Sequence, residues 1–361
     1  MPGQKITLPE PQPTLEEWRS LYEAAQVFKE AALWEYTVEE QLFGVRDPES
    51  GQTHYCSITG LLGEHLALIV YLGEEGLGRY YDIVHQGKEA RGYLQERDAT
   101  MSVMETPQLQ ASFTDRDVLR DLDRAVAKQI GLRFRGQNAW PMFRHYIPGR
   151  HPWFVTAPQA RFLRAALEQA LIAIKELDEA PFLLDTAEAS EDAVSLLIRS
   201  WDGKEWVSSW ETVKPVPSAG YSAVDERPFT AARRALPLKP ARLEAHLTLL
   251  LTGVVEGEWP PYFPYILLLV DGRSGMVLGQ EMLLARPTLA SALQEVPLRF
   301  LALLQGLGMR PHDVSVASER LYQLLALPCR HMGIRLSRRD SLPMLEEAFH
   351  TLEEWMSRSN F

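Results

Sequence analysis

The sequence predicts a two-domain protein of mixed class. An N-terminal α+β domain (a helix, a three-stranded meander, then helices) is followed by an α/β C-terminal domain of order βββαβαβα. Three observations carry the expectation. At 361 residues and 46% hydrophobic, the chain is long and apolar enough to fill two cores. Short apolar runs bounded by Gly, Pro and Asp alternate with segments of helical period in both halves. Between the halves, Pro215 to Pro240 is rich in Pro, Ala and Ser and keeps no period, as a linker does. The expected boundaries are a disordered lead over 1–13, a first domain over 14–185, a hairpin and Pro-rich linker over 186–240, and a second domain over 241–361.

Thr14 and Glu17 match a capping box, and Trp18, Leu21, Tyr22, Ala25, Phe28 and Ala32 follow at helical spacing. QLFGVRDPESGQTHYCSITG sets two β runs about Asp47-Pro48-Glu49-Ser50-Gly51, a hairpin signature. HLALIVYLG is nearly continuous and apolar, as a buried strand is, and GEEGLGRYYDIV, acidic at its start, predicts a helix. Residues 14–86 thus read αβββα. Residues 87–106 are charged and weakly patterned, fitting a helix or a loop. Gln108 to Phe113 alternates as a strand. Thr114 is placed to cap a helix through Val118, Leu119, Leu122, Val126 and Ile130, which Gly131 ends. Trp140 to Phe154 predicts an aromatic hairpin closed at Pro148-Gly149. A long amphipathic helix follows, with Phe162, Leu163, Ala166, Leu167, Ala170, Leu171 and Ile174 on one face. Residues 193–213 form a further hairpin turning at Asp202-Gly203.

In the C-terminal part, Arg242 to Val255 is one β run, and YILLLVDGRSGMVLGQEMLL supplies two strands joined at Gly272 to Gly275. Pro287 opens a helix through Leu293, Val296, Phe300, Leu301 and Leu304. Asp313 to Ala317 is a short strand, and Ser318 caps a helix through Leu321, Leu324 and Leu325 that ends before Gly333. IRLS is a fifth strand. Pro343 starts a last helix through Leu345, Phe349, Leu352 and Trp355.

LLLVDGRSGMVLGQEM resembles the transposase hairpin that links strands two and three. RPHDVSVASERLYQLLALPCRHMGIRLSRRDSLPMLEEAFHTLEEW resembles the integrase stretch running from the second acid to the glutamate helix. The C-terminal third therefore resembles the ribonuclease-H-like superfamily, whose integrases share the order βββαβαβα. The resemblance implies acids on the first and fourth strands and on the late helix, converging on two divalent ions. The chain departs from that pattern. HLTLLLTGVV, aligned as the first strand, has no acid, and Ala317 stands where the fourth strand needs one. Glu346 or Glu347 matches the third position. The expectation is a degenerate core without catalytic residues. If the strand register is shifted, Asp271, Glu295 and Glu319 or Glu347 are the acids that would converge.

FGVRDPESGQTHYCSITGLLGEHLALIVYLGEEGL, WPMFRHYIPGRHPWF and PPYFPYILLLVDGRSGMVLGQEML carry a second resemblance, to a bacterial family of two consecutive domains of unknown function. It implies a bacterial source and no activity.

The composition narrows the class. No apolar run reaches the roughly 18 to 20 residues of a membrane span, and MPGQKITLPEPQP lacks signal-peptide regions. Cys56 and Cys329 stand far apart, without CxxC or His at metal spacing, so no disulfide framework and no metal site are expected, and the compartment is expected to be the cytoplasm. A net charge of −11 repels nucleic acid and anionic membrane, so either would need a local basic patch.

The best binding candidate is the aromatic hairpin, where Arg144, His145, Tyr146, Arg150, His151 and Trp153 interleave cations with rings. Such rings can stack a base or hold a phosphorylated ligand. The same pattern arises where one face of a hairpin packs on a helix and Arg covers the other. A second basic cluster, Arg330, Arg335, Arg338 and Arg339, flanks the fifth strand. The glycines of GLLGEH and GEEGLG fit tight turns, since Glu74 and Glu75 occupy the anion's place and no P-loop Lys follows. His54, His65, His85, His246 and His331 lack ligand spacing, and no cofactor is expected.

The expectation is thus a non-catalytic binding or scaffold protein. The alternatives are a metal-dependent nuclease or phosphoryl-transfer enzyme, and a nucleic-acid or phosphate-ligand binder acting through the hairpin.

Overall fold

The structure, a computed structural model, describes residues 7–89, 92–179, 193–216, 225–251 and 259–358. Residues 1–6 of the expected lead, the first-domain boundary near Asp185, the strand continuation over 252–255 and the side chains of Leu352 and Trp355 lie outside what is described. The chain divides into two compact units. One comprises Met1–Asp82, Thr106–Ile147 and Pro152–Ser218, the other Ile83–Glu105, Pro148–His151 and Ala219–Phe361.

In the first unit, α1 (Leu15–Ala31) begins with the capping box the sequence predicts. Thr14 Oγ1 accepts from Glu17 N, and Glu17 Oε2 accepts from Thr14 N at 2.7 Å. The strands β1 (Phe43–Arg46), β2 (Thr53–Thr59) and β3 (Ala67–Tyr71) form the meander, followed by α2 (Gly73–Glu89), whose residues from Ile83 on, together with α3 (Tyr93–Met104), belong to the second unit. Then come β4 (Gln108–Thr114), α4 (Asp121–Gln129), β5 (Trp140–Tyr146), α5 (Ala157–Glu179), β6 (Val194–Trp201) and β7 (Trp206–Val213).

The strands make a seven-stranded sheet of order β5-β4-β3-β2-β1-β6-β7. All its pairings are antiparallel except β1 with β6, where Gly44 faces Ile198 and Val45 faces Arg199. Alternate strand residues Phe43, Val45, Cys56, Ile58, Leu68, Val70, Leu109, Ala111 and Phe113 meet Leu21, Ala25 and Phe28 of α1 and Leu163, Ala166, Leu167 and Ala170 of α5 in one buried cluster. The period-2 and period-3.6 faces found in the sequence are therefore the faces that meet. Apolar burial at about 25 cal/mol per Å² drives that contact.

Two details differ from the sequence expectation. The helix placed after Thr114 starts six residues later, because Asp123 rather than Thr114 organises its first turn, its Oδ2 accepting from Arg120 N at 3.0 Å. The hairpin β6–β7 has its own long-range partners. The guanidinium of Arg199 donates to Gln169 Oε1 on α5 at 3.1 and 3.0 Å and to Glu176 Oε1 at 3.2 Å.

In the second unit a helix, α6 (Arg227–Ala235), occupies part of the segment that reads as a periodless linker. Only Phe229 and Ala232 are buried on it, too few to show a period. The strands β8 (Leu238–Leu249), β9 (Tyr265–Asp271) and β10 (Val277–Leu283) are followed by α7 (Leu289–Gly306), β11 (Arg310–Val316), α8 (Glu319–Met332), β12 (Arg335–Arg338) and α9 (Pro343–Arg358). The sheet order is β10-β9-β8-β11-β12, with β8–β9 and β9–β10 antiparallel and β8–β11 and β11–β12 parallel. Ser318 caps α8 through Leu321 N at 3.0 Å, and Gly333, at φ +70°, ends it.

One face of this sheet buries Leu243, Ala245, Leu267, Leu269, Val314 and Val316 against α6, α7 and α8. The other buries Ile266, Leu268 and Val270 against Leu345 and Phe349 of α9 and Leu94 of α3. Among the described residues no helix is long and apolar enough to cross a membrane.

Candidate functional site

The hairpin residues singled out in the sequence are mostly turned into the fold. Arg144 lies on β5, opposite Gln110 of β4. It forms a two-bond pair with Asp123, Nη1–Oδ1 at 2.8 Å and Nη2–Oδ2 at 2.6 Å, with the side chains 6% and 7% exposed. Its guanidinium also lies 4.8 Å from the Phe154 ring centre. His145 Nδ1 meets Gln159 Nε2 at 3.0 Å, and burial pushes its imidazole down to about 4. Tyr146 donates its hydroxyl to Gln110 Oε1 at 3.1 Å. Trp153, 2% exposed, donates Nε1–H to the Thr7 carbonyl and exchanges two backbone hydrogen bonds with His145.

Arg150 and His151 belong to the second unit. Arg150 lies over the Tyr262 ring at 4.0 Å and donates to its hydroxyl and to the Pro260 carbonyl, and His151 stacks on Phe263 at 3.8 Å. Tryptophan and arginine side chains used in this way stabilise the fold and leave little ring face for a base.

The acids considered for a metal site are separate from one another in their bonding. Asp271 accepts from Arg273 N, Ser274 N and Ser274 Oγ in its own turn, and those hydrogen bonds, Ser274 N–H first, hold its carboxyl below the usual range. Glu295 pairs with Arg299 at 2.8 Å, and Glu319 with Arg338 at 2.5 Å. Glu347 is exposed on α9. Among the described residues, no group of three or more His, Cys, Asp or Glu stands close enough to hold a metal ion.

The first strand differs from the expected acid-free one. β8 begins at Leu238, earlier than HLTLLLTGVV, so the first strand does carry an acid, Glu244, opposite Ser315 of β11. Its Oε2 accepts from Leu345 N at 2.9 Å at the start of α9. Burial there, and the neighbouring Glu346, raise its carboxyl above the usual value. The β run from Arg242 contains Glu244, but the stretch aligned as the first strand, HLTLLLTGVV, starts two residues after it.

The arrangement best suited to hold a ligand lies in the first unit, beside the Arg144–Asp123 pair. A pocket of about 440 Å³ is lined by Trp18 and Tyr22 of α1, Leu122, Asp123 and Val126 of α4, Phe143 of β5, Phe154 and the segment Leu8 to Leu15. Its aromatic wall is preset. Tyr22 meets Phe143 edge-on at 5.0 Å and stacks on Phe134 at 5.8 Å, and Trp18 lies 6.2 Å from Phe143. Burial, and then the nearby Asp123 carboxylate, push the Tyr22 hydroxyl pKa up, so it stays neutral. Volume, apolar rings and one convergent polar pair are the features of small-molecule sites. The sequence signal for this site was weak: Trp18, Tyr22, Leu122 and Val126 read only as helix core positions, and Asp123 carries no motif.

Among curated proteins, none matches the chain. A family model described as Domain of unknown function (DUF6930) matches residues 232–353. Over residues 18–198, which include the α1, α4 and β5 walls of the pocket but not its Leu8 to Leu15 segment, the chain belongs to the family described as Domain of unknown function (DUF7309).

Proposed function

We propose that this is a non-catalytic binding protein whose first unit takes a small, largely apolar, ring-bearing molecule in the α1–α4 pocket. The observation that carries it is the juxtaposition of four aromatic rings with a satisfied ion pair around about 440 Å³. Rings offer stacking and edge contacts, and the Arg144–Asp123 pair leaves carboxylate lone pairs to accept a hydrogen bond from the ligand. The second unit, in this proposal, is a ribonuclease-H-like scaffold. Its chain order and the sheet β10-β9-β8-β11-β12 support that reading.

Its acids support a role without catalysis. Glu244 is engaged as an acceptor at the start of α9, Glu295 and Glu319 sit in ion pairs, and Ser315, Val316 and Ala317 leave the end of the fourth strand without a carboxylate.

The test is a fluorescence titration of the full chain with anilinonaphthalene sulfonate. The reading expects saturable one-to-one binding that Leu122→Trp abolishes without lowering thermal stability, because the new ring fills the pocket. Binding that Leu122→Trp leaves intact rejects it. The competing metal-dependent reading expects a saturable magnesium or manganese site lost in Glu347→Gln, which calorimetry would detect.

A further inference from the structure

Helix α4 has a cavity on each side, and the second is of opposite character. A recess of about 450 Å³ is lined by Arg116, Asp121, Arg124, Lys128, Arg133 and Trp140, together with small residues of α4 and Gly131–Leu132. It shares only Ala125 with the apolar pocket among the lining residues.

Four cations face one carboxylate in a chain whose net charge is −11. That carboxylate is already used, since Arg124 Nη2 pairs with Asp121 Oδ1 at 2.5 Å. The other fork nitrogen of Arg124 donates to the Leu119 carbonyl at 2.5 Å and the Arg116 carbonyl at 3.3 Å, which ties the Arg116 loop to the helix. Arg116, Lys128 and Arg133 are exposed, and among the described residues none of their three side chains has a hydrogen-bond or ion-pair partner. Like charges gathered without counter-charge repel, and an anion entering the recess relieves that repulsion. Trp140 also lines the recess, half-buried and held by an edge contact with Phe134 at 5.2 Å. An indole face beside guanidinium and ammonium groups fits a ligand that carries both a planar ring and a phosphate.

We propose that this recess binds a nucleotide-sized organophosphate, with Arg116, Lys128 and Arg133 on the phosphate and Trp140 against the ring. A recess of about 450 Å³ is the size of a mononucleotide rather than of a strand. The site is independent of the apolar pocket, so the two proposals fail separately.

The test is calorimetry of the full chain with ADP, with inorganic phosphate and with a single-stranded hexanucleotide at low salt. The double variant Lys128→Glu/Arg133→Glu is the probe. Both side chains are exposed, so its melting temperature should match the wild type. Lys175→Glu, an exposed change on α5, is the charge control, and Leu122→Trp is the control for the apolar pocket. The proposal expects saturable ADP binding that weakens as salt rises, is tighter than phosphate, and falls about tenfold or more in the double variant. It also expects the two controls to bind ADP as the wild type does. The proposal is overturned by no ADP binding at about millimolar concentration, by an equal loss in Lys175→Glu, by phosphate binding as tightly as ADP, or by a hexanucleotide that binds far more tightly than ADP.

Discussion

Arg144 and Asp123 meet through two parallel hydrogen bonds of 2.8 and 2.6 Å, each side chain almost wholly enclosed, with Asp123 lining the α1–α4 pocket. The pair joins β5 at the sheet edge to the first turn of α4, and Asp123 also receives Arg120 N–H at 3.0 Å. Two charges so placed are kept by each other and by their hydrogen bonds. Removing one strands the other in low dielectric.

Arg144→Ala should therefore lower stability by about 3–5 kcal/mol. The double change Asp123→Leu/Arg144→Met, which removes both charges at similar volume, should recover most of that loss. Urea denaturation of the wild type and the two variants checks this. Equal stability for Arg144→Ala and wild type would mean that water solvates the pair.

Arg199 supports a parallel prediction at the other end of the sheet. Its guanidinium holds Gln169 and Glu176 of α5 and Trp206 O of β7, and Gln169 is itself buried. Arg199→Ala leaves that amide without its partner and should cost about 2–4 kcal/mol. Hydrogen exchange should show protection falling first along β1 and β6, which pair in parallel.

Acidification should weaken the first unit through its buried histidines. Burial lowers the imidazole of His145 to about 4 and that of His54 in the same direction, against the ordinary value of 6.5. The unfolded chain then binds more protons than the folded one between those values. The stability these groups contribute is present above pH 6.5 and is lost as pH falls toward about 4. His145→Gln should flatten the slope in that window. A melting profile with the same slope in the variant would assign the loss to other groups.

Both thiols should be silent in the native protein. Cys56 and Cys329 are free and buried, and burial pushes Cys329 up to about 12 and Cys56 further. A thiol reagent at pH 8 should label neither cysteine until denaturant is added. Fast native labelling of either would contradict the packing described for its strand or helix.

Legibility in the sequence followed the range of the forces involved. Local signals were read well. Thr14–Glu17, Ser318 and Gly333 sit where their capping chemistry places them, and the strand HLALIVYLG is buried along its length. Long-range partners were not readable. Nothing in 193–213 says that Ile198 lies beside Gly44, and nothing in the charged stretch around Asp98 says that α3 packs on β8, where Asp98 Oδ1 comes within 3.3 Å of the buried His246. Glu244 lay inside the β run expected from Arg242 and was left out only because the apolar stretch HLTLLLTGVV was aligned as the first strand. The interleaved Arg and aromatic residues of 140–154 read as a surface, yet Arg144 finds its acid 21 residues upstream and turns inward. The apolar pocket was invisible for the same reason. Its lining comes from α1, α4, β5 and the Leu8–Leu15 segment, and each part alone looks like ordinary core.

The most direct measurement of the central claim is a methyl NMR titration of leucine- and valine-labelled full-length protein with anilinonaphthalene sulfonate. Leu8, Leu15, Leu122, Val126 and Val155 all line the pocket and serve as reporters. Ring binding in this pocket predicts saturable shifts concentrated on those five methyl pairs, and their disappearance in Leu122→Trp. Shifts centred on other leucines or valines, or none at saturating probe, would contradict it.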